Sequence, residues 1–229
     1  VTDRAWNDHD RVELCCEAGS MLAVVGLAVR SVAHGQSDNR REATALLMQI
    51  AGDLIRAALT AIAEEHFYAA ATLSRQILEV TYLAQYFKIA PDRTAHWLTA
   101  SDNELKAAQD FKLGALRQTV GAHGLLYSHH CALGGHPRHA AALLLPGSRW
   151  LEEDLQVPGP AGQIALAPQS ALVTDLLQHT RPLLIACFES LAPSDLAPYI
   201  TQTDRLVKAF VKWLQEDPLA WVGPHPDTP

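Results

Sequence analysis

Hydrophobic residues recur at three- and four-residue spacing along most of this chain, a pattern that predicts a succession of helices. Capping side chains in "NDHD" (7 to 10) precede a first helix that runs to about His34, where "GQSDN" breaks it. In residues 40 to 65, Leu47, Ile50, Leu54, Ile55, Leu59 and Ile62 mark the apolar face of a second. A third covers about 66 to 89 and stops at "APD", since Pro91 has no amide hydrogen with which to continue it. A shorter helix is expected over 92 to 112, interrupted near Ser101 and Asp102, where a side chain can cap its second half. Another, over about 116 to 133, ends in the turn "GGHPRH".

Residues 146 to 168 hold four prolines and three glycines and are expected to form a long irregular connection. Helices resume at about 169 to 191, with a kink expected at Pro182, and at 195 to 216. The fold class that follows is all-α: an up-and-down bundle of six to seven helices, one domain over 1–216, with a C-terminal tail at 217–229.

Composition agrees with this pattern, because alanine and leucine supply most of the apolar surface while aromatic residues make up only 7%. The formal charge of −7 argues against a surface that grips nucleic acid chiefly by neutralising phosphates, although a local basic cleft remains compatible with it. Cys15, Cys16, Cys131 and Cys187 have no zinc-site spacing and are expected to be reduced and mostly packing residues. The longest apolar run, "MLAVVGLAV" (21 to 29), falls short of the roughly 20 residues of a membrane span. With an acidic N-terminus unlike a signal peptide, a cytoplasmic protein is expected. Arg40 with Arg41 and Glu64 with Glu65 read as solvated surface. No Walker loop, dinucleotide fingerprint, H-E-x-x-H or G-x-S-x-G is present, and no cofactor is expected.

The third helix carries the most informative polar pattern. At 100° per residue, Tyr68, Arg75, Glu79, Tyr82 and Tyr86 fall in one stripe about 60° wide, opposite Leu73, Ile77, Val80, Ala84 and Phe87. Arg75 and Glu79 are four apart and can pair. Such a stripe is either an ordinary solvated face or the partly buried wall of a cavity or interface, in which tyrosine hydroxyls serve a paired guanidinium and carboxylate. With Trp97, these residues are candidates for a pocket.

A second polar column joins His123, Tyr127 and His130 on the helix expected over 116 to 133, and "HPRH" sets His136, Arg138 and His139 at the following turn. Surface or core histidines, a catalytic or binding group, and a metal site are the three readings of this cluster. His123 and His130 are two turns apart and need a ligand from another helix to share one metal. The E-x-x-H pairs of di-iron bundles are missing, so no metal site is assigned.

"FYAAATLSRQILEVTYLAQYF" followed by "YSHHCALGGHP" resembles HEPN-like helical bundles, nearest to a bacterial group of unknown function with an R-x-x-x-E helix and a later tyrosine-to-His-Pro segment. The resemblance covers about residues 45 to 140 and places Arg75 and Glu79 on that pair, Tyr127 on the tyrosine, and His136 with Pro137 on the His-Pro. Characterised HEPN proteins are often metal-independent endoribonucleases in toxin or defence systems, with an R-x(4–6)-H motif at a dimer interface. The segment of that spacing here, Arg117 to His123, puts its ends about 120° apart on a regular helix.

The resemblance implies RNA cleavage by a homodimer, with an antitoxin or other regulatory protein as a further partner. His136 would move the 2′-hydroxyl or leaving-group proton, Arg75 or Arg138 would stabilise charge on phosphorus, and Glu79 would orient them. Tyr68, Tyr82, Trp97, His123, Tyr127, His130 and Arg138 would contact the substrate. The alternatives are a small-molecule-binding or sensing bundle that uses the same pocket, and a dimeric interaction module in which the stripe is a seam.

Overall fold

A computed structural model describes residues 6–33, 38–122, 130–131, 144–145, 155–159 and 162–220. Four long helices form its core: α1 (Asp8–Ala33), α2 (Asn39–Ala63), α3 (Phe67–Ile89) and α7 (Pro168–Ser190). Their facing sides bury Leu22, Met48, Ile55, Ile77, Phe87, Leu176 and Leu183, a continuous apolar interior of mostly aliphatic side chains. The architecture is therefore the expected all-α up-and-down bundle.

Small residues set how closely α1 and α2 approach. A Cβ on Gly52 would stand 2.7 Å from the carbonyl oxygen of Gly19, and one on Gly26 would stand 2.8 Å from that of Ala45. This descending register, 19 against 52 and 26 against 45, is that of an antiparallel pair in backbone contact. The turn from α2 to α3 closes with Glu65 at φ 60° and a hydrogen bond from the His66 amide to the Ala61 carbonyl, a helix-ending geometry that usually selects glycine.

Shorter elements cover one side of this core. The helix expected over 92 to 112 divides into α4 (Arg93–Thr99) and α5 (Asp102–Ala107). Ser101 begins α5 as anticipated, its backbone amide 2.7 Å from Glu104 in a capping box. A 3₁₀ turn, Gln109–Phe111, leads into α6 (Leu113–Val120), which packs on α3. Here the expected 116 to 133 helix is corrected: Gly121 at φ 68° takes the left-handed conformation that ends α6. Of the column expected on that helix, His123 and Tyr127 lie outside the described residues.

Two further differences concern the C-terminal half. The connection expected to be irregular contains an antiparallel hairpin, β1 (Leu155–Gly159) with β2 (Gly162–Leu166), in which Val157 is opposite Ile164. The last expected helix begins as a single turn, α8 (Pro193–Leu196), and after a 3₁₀ turn containing Pro198 continues as α9 (Ile200–Glu216). Leu206, Phe210 and Trp213, at spacings of four and three, are the residues α9 buries.

Polar contacts between distant parts of the chain fasten this periphery. Arg41, expected to be solvated, instead pairs with the buried Asp195 carboxylate. Asp217, expected to start a tail, is buried against α1, so the folded unit reaches at least Ala220. Among the four free cysteines, Cys15 and Cys187 are buried, and burial pushes the Cys187 thiol up to about 12. Counting uninterrupted apolar residues also overlooked a feature: α1 and α2 are long and apolar enough to cross a membrane by length and composition, with 50% and 56% of their most apolar windows buried in the bundle.

Candidate functional site

Rotation about α3 places its polar stripe correctly, but neighbouring elements treat the stripe's two ends differently. Arg75 Nη2 donates to Glu79 Oε1 at 2.7 Å, and both side chains stay partly exposed. One turn further on, Tyr82 and Tyr86 are buried, at 4% and 6% exposure. The Tyr86 hydroxyl donates to Asp110 at 2.9 Å, and Arg93 Nε reaches the same carboxylate at 2.6 Å. Burial works to raise the Asp110 carboxyl, yet the hydrogen bonds from Arg93 and Tyr86 prevail and hold it below its ordinary value.

Arg75 and Glu79 lie in the wall of an open groove of about 750 Å³ between α2, α3, α4, α5 and α6. Much of its lining is apolar, including Leu54, Val80, Leu83 and Leu116 together with the aromatic Trp97 and Phe111. Trp97 is held edge-on to Phe87, their ring centres 5.3 Å apart, so its position is fixed from below. The charged lining consists of Arg75, Lys106 and Lys112 against the single carboxylate of Glu79. Lys106, Lys112 and the aromatic Phe111 were not anticipated, because Lys106 and Phe111 belong to short elements with no polar column of their own and Lys112 is the residue that joins the 3₁₀ turn to α6.

Of the expected pocket residues, the groove therefore gathers Arg75, Glu79 and Trp97. Tyr68 packs on the core from outside its lining, and Tyr82 lies beneath the surface. His123, Tyr127, His136 and Arg138 lie outside the described residues. The Tyr82 hydroxyl has no hydrogen-bond partner among the described residues, and burial raises its pKa, with Arg117 opposing and Glu79 reinforcing. An unpaired buried hydroxyl is a cost rather than a contact. Tyr82→Phe should accordingly leave stability unchanged or raise it by about 1 kcal/mol in urea unfolding. A loss of more than about that amount would show that the hydroxyl is paired.

His130 belongs to a second constellation. Its Nε2 is 2.8 Å from His179 Nε2 and 3.3 Å from Asp175 Oδ1, while His179 Nε2 is 3.1 Å from the same oxygen. Asp175 and His179 are one turn apart on α7, so both project from one face. Both imidazoles are buried, whereas the Asp175 side chain is 21% exposed. Burial pushes the His179 imidazole below its ordinary pKa, with Asp175 opposing that shift. For Asp175 the balance reverses: burial would raise its carboxyl, but His130 and His179 hold it well below the carboxylate range. The D-x-x-x-H spacing of Asp175 and His179 was available in the sequence, but nothing local to α7 links it to His130.

These three donors can hold a metal ion, and the groove can hold an organic ligand; each is built from different elements. No family model matches the chain, and no curated protein or solved structure shows significant similarity to it.

Proposed function

We propose that this helical bundle binds a small amphipathic anion in the groove lined by α2 to α6. The observation that carries the reading is the combination of a largely apolar lining with three cationic side chains, Arg75, Lys106 and Lys112, against one carboxylate. Its volume of about 750 Å³ suits a ligand of modest size, since such pockets span roughly 300–1,000 Å³. Glu79 fixes the Arg75 guanidinium in this lining, and an anionic head group placed there receives charge-assisted hydrogen bonds while its tail covers Leu54, Leu83 and Trp97. The RNA-cleavage reading implied by the HEPN-like resemblance depends on His136 and His123, which lie outside the described residues, and no described contact favours it over binding.

Calorimetric titration with decanoate tests this directly, with decanol as the uncharged counterpart. Saturable one-site binding is expected, stronger for decanoate than for decanol. Arg75→Gln should weaken decanoate about tenfold or more, the equivalent of one lost charge-assisted hydrogen bond. Equal decanoate affinity in wild type and Arg75→Gln would contradict the proposal. So would a groove occupied by a second copy of the chain, recognised as a dimer in sedimentation that decanoate neither binds nor dissociates.

A further inference from the structure

The triangle of His130 Nε2, His179 Nε2 and Asp175 Oδ1 makes a demand that protons alone meet poorly. Its edges are 2.8, 3.1 and 3.3 Å, so every pair of atoms is close enough to interact. Each imidazole Nε2 presents either one hydrogen or one lone pair. With a hydrogen on one nitrogen only, the other turns its lone pair toward an anionic oxygen. With hydrogens on both, the carboxylate is served twice, but two N–H groups oppose each other across 2.8 Å. A cation inside the triangle takes a lone pair from all three atoms and removes the conflict.

We propose that His130, Asp175 and His179 bind a divalent first-row transition metal of the zinc or ferrous-iron class. Two imidazole nitrogens and one carboxylate oxygen favour such an ion over magnesium or calcium, which prefer all-oxygen surroundings. At bond lengths of roughly 2.0–2.2 Å and near-tetrahedral angles, donors stand about 3.3 Å apart, so the observed edges need only slight opening. The partly exposed Asp175 gives the ion a route from solvent, while the buried imidazoles define the inner side. Three protein ligands among the described residues leave a position for water or a substrate oxygen, the arrangement of reactive rather than purely structural centres. This site uses α7 and His130 and does not depend on the groove.

The test is titration of the chelator-treated full chain with Co²⁺, followed by displacement with Zn²⁺. Wild type should take up one Co²⁺ per chain with ligand-field absorption of a low-coordinate nitrogen and oxygen site, and Zn²⁺ should raise its melting temperature. His179→Gln and Asp175→Asn should each weaken uptake by more than about 100-fold, since losing even an outer-shell partner costs about 10–100-fold. His9→Gln removes an exposed histidine paired four residues away with Glu13 and should change nothing, which separates the site from surface binding. Circular dichroism of each variant establishes that it is folded, and the wild-type melting shift needs no variant. Absence of Co²⁺ uptake and of a Zn²⁺ melting shift, or unchanged affinity in folded His179→Gln and Asp175→Asn, would overturn the site and leave a hydrogen-bonded packing contact.

Discussion

Replacing Asp217 by alanine is expected to destabilise the protein by about 3–5 kcal/mol, the range for a buried ion pair deprived of one partner. Arg11 Nε and Nη2 donate to the two Asp217 oxygens at 2.7 and 2.8 Å, and the carboxylate side chain is wholly buried. Trp213 Nε1 donates to it at 2.8 Å and the Leu219 amide at 2.9 Å, so one carboxylate satisfies donors from α1, α9 and the segment beyond α9. Alanine would strand a buried guanidinium with, among the described residues, Asp8 left to accept from it. Arg11→Met combined with Asp217→Leu should lose less than Asp217→Ala alone, because the charge leaves together with its partner. Urea unfolding of the three chains measures this; a loss below about 1 kcal/mol for Asp217→Ala would mean that Arg11 reaches water at little cost.

Gly52→Val is expected to cost about 3 kcal/mol or more, since overpacking typically costs 1–3 kcal/mol and here the obstacle is backbone. A Cβ at Gly52 meets the Gly19 carbonyl oxygen at 2.7 Å, and the amide nitrogen and Cβ of Ala23 at 2.9 Å, so relief requires α1 and α2 to separate. Their separation would loosen the apolar layer of Leu22, Met48 and Ile55 behind them. Gly114→Ala is the matched control, because among the described residues nothing lies within 4 Å of its Cβ position and alanine is the better helix former. Thermal unfolding should show a large fall for Gly52→Val and no loss for Gly114→Ala.

The parts of this architecture that were legible in sequence are those specified locally. Pro91 ended α3, Ser101 with Glu104 restarted the chain at α5, and the apolar repeat through Leu47, Ile55 and Ile62 marked α2. Gly121 was hidden by its setting in a helical pattern, where a lone glycine is tolerated; only its positive φ reveals that it stops α6. The hairpin was masked by prolines and glycines that read equally well as irregular chain.

Long-range partners account for the rest. Arg41 and Asp195 are 154 positions apart, and Arg11 and Asp217 are 206 apart, so their burial follows from the fold and not from either neighbourhood. The same holds at the candidate sites. The stripe of α3 was legible as a rotation angle, but whether a given tyrosine faces solvent or lies beneath a covering element depends on α6 and the turn before it. Asp175 and His179 form a readable one-turn pair, yet the third donor, His130, comes from 49 residues before His179.

The binding reading is tested most directly by the indole N–H resonances of the tryptophans during titration with decanoate. Trp97 lines the groove, whereas Trp213, on the inner face of α9, is fully buried and its indole is fixed by Asp217. A saturable shift of the Trp97 resonance, with Trp213 unmoved and the response lost in Arg75→Gln, is the predicted result. A Trp97 resonance that does not move, or that moves no more than Trp213, would contradict ligand binding in the groove.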